Sequence, residues 1–170
     1  MMFFGVLSLL SLTTAMAESS SLTAMVDDYL TMSITLDNPD ADASSQNADL
    51  SGDLVDMYDS LEAIEAHMDA LLVEDAQRWS LEVEVRRAQL HEHFGNALIS
   101  SDVPSFLTRK QSRVYRVGLE SKSEKLYTEA YSAYRAAIAI AEQQGVDDEL
   151  SSAARSGARR VGKLSRPSSL

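Results

Sequence analysis

The side chains best suited to metal or haem chemistry are three histidines and a methionine. His67 and Met68 are adjacent, and His91 and His93 lie two residues apart. Residues two apart on a helix point about 200° away from each other, so His91 and His93 cannot both face one ion. His67 and Met68 together with His91 would suit copper or haem inside a helical bundle. This site is an alternative only, and we predict no metal ligand and no cofactor.

Groups for acid, base or nucleophilic catalysis are present but form no recognisable motif. Nucleophilic catalysis needs a base held beside the nucleophile, and no histidine lies in a known Ser or Asp motif. The chain also lacks a glycine-rich phosphate loop. The 26 Asp and Glu residues are plentiful, but the sequence does not place them together. We predict no catalytic residue, and an enzyme with an unrecognised carboxylate site is the second alternative.

The composition is that of one globular domain. The 170 residues are 45% apolar and 24% charged, which is enough for a buried core. The absence of cysteine excludes a disulfide scaffold, a cysteine-ligated zinc or iron–sulfur site and a covalently attached c-type haem. The composition likewise excludes a collagen and a protein with several membrane spans.

Charge is distributed unequally along the chain. Residues 1–77 contain fifteen Asp and Glu and no Lys or Arg, whereas residues 78–170 contain fifteen Lys and Arg and eleven acids, so the two parts carry −15 and +4. The acidic part would repel nucleic acid and no groove-reading motif is present, so no nucleic-acid partner is expected. Opposite charges favour contact between the two parts, within one chain or between two copies in a homo-oligomer.

The first residues have the pattern of an export signal. Residues 3–17 form an apolar stretch that ends in Ala15-Met16-Ala17 before Glu18, as at a signal-peptide cleavage site. The stretch of about 15 residues is shorter than the roughly 20 that a bilayer-spanning helix needs. A buried amino-terminal helix is the alternative, because no Lys or Arg precedes the stretch. We predict a signal peptide at residues 1–17, a periplasmic or extracellular location, and no membrane span after cleavage.

Apolar residues spaced by three and four predict helices along most of the remaining chain. No convincing strand is found, so the predicted fold is all-α, a helical bundle of five or six helices. Ser101-Asp102 ahead of Pro104 is a predicted helix start, and Gly145 is a predicted helix end. The predicted helices cover residues 22–37, 54–98, 102–121, 123–143 and 147–164.

The longest apolar pattern, at residues 54–98, has two interpretations. It has no Gly or Pro before Gly95 and would form one rod of roughly 65 Å. Alternatively, it forms two helices broken near residues 73–80, because Glu74 and Asp75 fall on the apolar stripe. Periodicity alone does not separate these two possibilities.

A polar segment divides the first two predicted helices. Residues 37–52 contain Pro39, several Asp and Ser, and few apolar side chains, so they cannot bury enough surface to offset their ordering entropy. We predict a solvated loop there, inside an acidic helical region at residues 18–99. A second helical region at 100–164 and a basic, polar tail at 165–170 complete the predicted organisation.

Small and aromatic residues recur at defined intervals in the second helical region. The positions concerned are small, small, aromatic and small in turn: Gly118, Ala130, Tyr134 and Ala137. This spacing resembles the signature of a tetratricopeptide repeat, although Val114 and Val117 replace its usual Trp and Leu. The resemblance covers residues 111–164 at most. It implies a packed helical hairpin rather than a complete array, which needs about three repeats.

The resemblance also implies protein or peptide binding on the first helix of the repeat. The matching helix carries Arg109, Arg113 and Arg116 at intervals of four and three, which places them on one helix face. A solvated face is the ordinary interpretation of such a stripe. The predicted function is nevertheless an exported, non-enzymatic interaction or scaffold module in which these arginines bind a protein or peptide partner of acidic character.

Overall fold

The computed structural model describes residues 21–32 and 43–164. In this part of the chain there are four helices and no strand: α1 at residues 21–31, α2 at Ala43–Ser100, α3 at Arg109–Gln144 and α4 at Glu149–Val161. The predicted all-α class is confirmed, but five or six helices and a tetratricopeptide-like hairpin are not. The predicted signal peptide, residues 37–42 of the predicted loop and the tail at 165–170 lie outside the described residues.

The long helix α2 is not a straight rod. Asp75 leaves helical geometry, with φ −153° and ψ 86°. The Arg87 guanidinium donates to the Asp69 carboxylate at 2.7 Å, although these residues are 18 positions apart. Along one straight helix they would be separated by about 27 Å. The chain therefore folds back at Asp75 into two antiparallel arms, the first arm at 43–74 and the second arm at 76–100. Of the two interpretations that the sequence leaves open, the structure has the one with a break near residues 73–80.

Asp75 begins the second arm as its N-cap. Its Oδ1 accepts a hydrogen bond from the backbone N–H of Arg78 at 3.1 Å, three residues later. This contact satisfies one of the amide groups that a helix start leaves without a partner. The chain therefore turns sharply here without Gly or Pro.

Replacing Asp75 with alanine is expected to lower the free energy of unfolding by about 1 kcal/mol, because the Arg78 N–H loses its acceptor. Asp75→Asn keeps a capping oxygen and is expected to cost less than about 0.5 kcal/mol. Urea unfolding of the two variants measures the difference. An equal loss in both would mean that the charge of Asp75, and not its capping bond, stabilises the fold.

Residues 43–52 form the first turns of α2, where the sequence predicts part of a solvated loop. That prediction is wrong for these ten positions. The segment contains no Pro, and its only Gly is Gly52, at the end next to the packed part of the arm. Extending a helix from an existing packed segment adds one hydrogen bond for each residue fixed, so it does not require burial of apolar surface.

The second arm of α2 lies at the centre of the molecule because it is apolar on two opposite faces. Trp79 and Val83 pack with α1 and the first arm, which we call the amino-terminal layer. Leu81 and Val85 pack with α3 and α4, which we call the carboxy-terminal layer. Residues two apart on a helix point to nearly opposite sides, so this alternation buries the second arm between the two layers.

The start of α3 differs from the predicted start near Ser101-Asp102. Thr108 is the N-cap: its hydroxyl accepts from the backbone N–H of Gln111, and the Gln111 side chain accepts from the backbone N–H of Thr108. This capping box satisfies two helix-start amides at once. Its Thr-x-x-Gln pattern is visible in the sequence, but the Ser, Asp and Pro residues upstream gave a competing signal.

Helix α3 passes through residues 121–123, where the sequence predicts a boundary between two helices. The buried Ser123 hydroxyl donates to the Gly95 carbonyl of α2 at 3.0 Å and attaches α3 to the second arm. One continuous helix therefore replaces the two helices predicted at 102–121 and 123–143. Gly145 ends α3 as predicted, with a left-handed φ of 68°.

Helix α4 returns along α3 and completes the carboxy-terminal layer. Asp148 caps it, since its carboxylate accepts from the Ser151 backbone N–H at 2.9 Å. Gly157 lies directly on the ring of Tyr134, which is 1% exposed. The missing side chain at Gly157 thus sets how closely α4 approaches α3.

Candidate functional site

The first turns of α3 carry the three predicted partner-binding residues. Arg109, Arg113 and Arg116 are all exposed and, by their spacing, share one side of the helix. None of them forms an ion pair with another residue of the described part of the chain. We call these three residues the basic stripe.

The basic stripe lies at one end of the bundle. Ser123 bonds Gly95 and Gln144 bonds the Gln77 carbonyl, so α3 runs antiparallel to the second arm. Since α2 ends at Ser100, the turns of α3 before about residue 118 extend beyond it. This position explains why the first turns of α3 stay solvent-exposed while its later turns are buried.

Apolar side chains are also exposed on the first turns of α3 and in the segment that leads into it. Val114 and Val117 are 68% and 56% exposed, and Phe106, in the segment that leads into α3, is 52% exposed. The two valines occupy positions where the resemblance implies packed Trp and Leu. Sequence reasoning missed this surface because apolar residues at helical spacing are ordinarily buried. A group of exposed apolar side chains next to unpaired cations is typical of an interaction surface.

Two of the histidines connect helices through hydrogen bonds. His91 Nε2 lies 2.8 Å from Glu65 Oε1 and joins the two arms of α2. His93 Nε2 lies 2.9 Å from the Met32 carbonyl oxygen at the end of α1, and its ring meets the Tyr29 ring edge-on at a centroid distance of 5.6 Å. Both side chains therefore have packing roles.

The other two residues of the metal or haem alternative lie on the first arm. Met68 is fully buried in the core of the amino-terminal layer. His67 is half-buried, and its Nε2 has no hydrogen-bond partner. Across residues 21–32 and 43–164, no group of three or more His, Cys, Asp or Glu side chains is arranged to hold a metal ion.

The contact between Glu65 and His91 predicts how the stability of the bundle changes at acidic pH. The hydrogen bond with His91 holds the pKa of the Glu65 carboxyl below its ordinary value of 4.5, against the opposing effect of burial. A carboxyl whose pKa is lowered by folding stabilises the protein above its ordinary pKa, and this contribution is lost as the pH falls through the folded value. Glu65 therefore stabilises the bundle at neutral pH, and this contribution decreases as the pH falls below the ordinary carboxyl pKa of 4.5.

We expect Glu65→Gln to cost less than about 1 kcal/mol at pH 7, because the contact is partly exposed. The difference from the unmodified protein should stay constant down to about pH 5 and shrink below about pH 4. Thermal unfolding across this pH range measures it. Asp59→Asn changes an exposed site of the same arm and is the control. Its difference in stability from the unmodified protein should not shrink at low pH. A pH-independent effect of Glu65→Gln would contradict the expectation.

A buried polar cluster joins the second arm to both helices of the carboxy-terminal layer. Glu92 is only 7% exposed, and both of its carboxylate oxygens accept hydrogen bonds from the Arg160 guanidinium of α4. The Tyr134 hydroxyl of α3 donates to Glu92 Oε2 at 2.9 Å. The hydrogen bond with Glu92 raises the pKa of Arg160, and burial, followed by the Glu92 charge, raises the pKa of Tyr134. Arg160 thus stays charged, and Tyr134 keeps its proton, at neutral pH.

A cleft of about 240 Å³ opens beside this cluster and is where a carboxylate enzyme site would be sought. Glu92, His93 and Asn96 line it, but each is engaged within the chain. Glu92 binds Arg160 and Tyr134, His93 contacts Met32, and Asn96 accepts from Tyr127 at 2.8 Å. The arrangement connects helices and does not present a carboxylate to the cleft with its oxygens uncommitted.

Among known proteins, no family model, curated protein or solved structure matches this chain. The tetratricopeptide resemblance therefore stays a prediction. In the described residues, no helix has both the length and the apolar character that crossing a membrane requires.

Proposed function

We propose that the protein is an exported, non-enzymatic interaction module that binds an acidic protein or peptide through the first turns of α3. The supporting observation is that the first turns of α3 expose the basic stripe, which has no ion-pair partner among the described residues, and also expose Val114 and Val117. The proposal does not require kinship with tetratricopeptide repeats, because the charge and exposure of this surface are sufficient to define its partner.

The chemistry of the surface defines the kind of partner. Guanidinium groups bind carboxylates through two parallel hydrogen bonds, but an exposed pair contributes only about 0–1 kcal/mol. Burial of Val114 and Val117 adds a hydrophobic contribution on the order of 1 kcal/mol for each side chain. A partner segment must therefore carry carboxylates and apolar side chains together, as an amphipathic acidic helix does.

Export is supported by the apolar stretch at residues 3–17 and the Ala15-Met16-Ala17 pattern before Glu18. Mass spectrometry of protein isolated from its native cells is expected to find an amino terminus near Glu18. Recovery of the chain from Met1 onward in the cytosol would contradict export. The binding surface on α3 is tested separately, because it does not depend on this outcome.

Affinity capture from an envelope extract tests the binding surface. We expect the double variant Arg113→Glu with Arg116→Glu to retain about tenfold less partner than the unmodified protein, because two attractive contacts become repulsive. Quantitative mass spectrometry of the retained proteins measures the loss. Capture by the unmodified protein should also fall between about 50 mM and about 1 M salt, where charge interactions are screened.

The matched control reverses the same number of charges elsewhere on α3. Lys122 and Lys125 are both exposed and lie outside the basic stripe. The double variant Lys122→Glu with Lys125→Glu should therefore retain the partner. Undiminished capture by the stripe variant would refute the proposed surface, and equal loss in both variants would show that only net charge matters.

A further inference from the structure

A second cationic surface lies between α3 and α4, away from the basic stripe. It is a groove of about 770 Å³ that contains Ile138 and Ala158. Four cations line it, one from α3, two from α4 and one from the turn that follows α4: Arg135, Arg155, Arg159 and Lys163. We call it the cationic groove. Arg155 and Arg159 are four residues apart and share one side of α4, and Lys163 follows them in the turn after the helix.

The positive charge of this groove is largely uncompensated. Arg155 pairs with Asp147 at 2.7 Å, and Glu142 is the acid among the lining residues. Arg135, Arg159 and Lys163 form no ion pair with any residue of the described segments. An apolar centre with cations along its edges suits a helix that carries acids beside small apolar side chains.

The first arm of α2 has a surface of this kind. Three exposed alanines follow one side of the helix: Ala63, Ala66 and Ala70. Three exposed acids lie beside them and form no ion pair with a described residue: Asp56, Asp59 and Glu62. We call these six residues the acidic face. Small side chains permit close helix packing, and the three acids span about 9 Å.

The acidic face and the cationic groove cannot meet within one molecule. The acidic face belongs to the amino-terminal layer and the groove to the carboxy-terminal layer, and the second arm of α2 lies between these layers. Two surfaces of opposite charge in separate layers remain available to another copy of the chain. No rearrangement of the bundle is needed for such a contact.

We propose that the cationic groove binds the acidic face of a second copy of this chain. The contact is head-to-tail, because each copy offers a groove to one neighbour and an acidic face to another. This contact uses a surface different from the basic stripe. The proposal of self-association is therefore independent of the proposed partner binding. Repetition of this contact produces a closed ring or an open chain of copies.

Sedimentation velocity of the purified protein tests self-association. At about 100 μM protein and about 50 mM salt we expect species larger than a monomer, and at about 1 M salt a shift towards monomer. A protein that stays monomeric under the low-salt condition would overturn the proposal. Binding of an acidic peptide in the groove of a protein that stays monomeric would also overturn the proposal.

Two charge-reversal variants identify the surfaces. The groove variant is Arg135→Glu with Arg159→Glu, and the face variant is Asp56→Lys with Asp59→Lys. Each should be monomeric alone, because it lacks one of the two surfaces. A mixture should form a complex, because the face variant keeps an intact groove and the groove variant keeps an intact acidic face.

The mixing experiment separates a specific contact from a general charge effect. The control Lys122→Glu with Lys125→Glu should associate like the unmodified protein, and circular dichroism should show that all variants remain helical. The expected gain on mixing is about tenfold or more in the associated fraction. Association of either variant alone, or none in the mixture, would overturn the proposal.

Discussion

Replacing Arg160 with methionine is expected to lower the free energy of unfolding by about 3 kcal/mol at pH 7. The substitution removes the guanidinium from a carboxylate that is 7% exposed, and a buried charge without its partner costs about 3–5 kcal/mol. The lower end of this range applies because the Tyr134 hydroxyl still donates to Glu92. Urea unfolding at constant pH measures the loss.

The charge of Glu92, rather than lost packing, is the reason for this effect, and removing that charge distinguishes the two causes. A loss of packing alone would persist when Glu92 is replaced by a neutral side chain of similar size.

A second substitution provides the matched control for Arg160→Met. Glu92→Gln keeps an acceptor for Tyr134 but carries no charge. The double variant Glu92→Gln with Arg160→Met is therefore expected to recover most of the lost stability, to within about 1 kcal/mol of the unmodified protein. If the double variant is as unstable as Arg160→Met alone, the unpaired Glu92 charge is not the cause of the lost stability.

Local sequence signals predicted several features of the fold. The apolar spacing on either side of Glu74 and Asp75 indicated helices, and these two acids on the apolar stripe marked the place of a possible break without deciding whether the chain breaks there. Gly145 was correctly predicted as a helix end, since the left-handed conformation there favours glycine. Both features depend on residues within one or two helical turns.

Features that depend on distant residues were not predictable in the same way. Ser123 stays helical because it bonds Gly95, 28 positions away, and no local pattern reports that contact. The spacing of the basic stripe was evident from the sequence, but the exposure of Val117 was not. It depends on where α2 ends relative to α3, and that relation is set by tertiary packing.

Contacts between charged residues that are distant in sequence were likewise not predictable from local patterns. Glu92 and Arg160 are 68 positions apart, and nothing in the sequence distinguishes this pair from the other acids and bases. The unequal charge of the two parts predicted attraction between them. Arg87 and Asp69 form an ion pair between the two parts at 2.7 Å, whereas Glu92 and Arg160 both belong to residues 78–170. The acids of the acidic face and the cations of the groove lie in separate layers.

Gly157→Ala is expected to lower the free energy of unfolding by about 3 kcal/mol through overpacking. A Cβ at this position would lie 2.2 Å from the Cζ atom of Tyr134, well inside van der Waals contact. The ring cannot move aside easily, because it is 1% exposed and its hydroxyl is held by Glu92. Helix α4 must therefore shift, which also weakens the contact between Arg160 and Glu92.

Gly118→Ala provides the control, because the chemical change is the same and the surroundings are open. No atom lies within 4 Å of a Cβ built at Gly118, which sits inside the exposed part of α3. Alanine favours a helix over glycine by about 1 kcal/mol, so this variant should be more stable than the unmodified protein. Thermal unfolding should thus shift in opposite directions for the two substitutions. A Gly157→Ala protein as stable as Gly118→Ala would mean that α4 does not rest on the Tyr134 ring, and the close packing of the carboxy-terminal layer would be refuted.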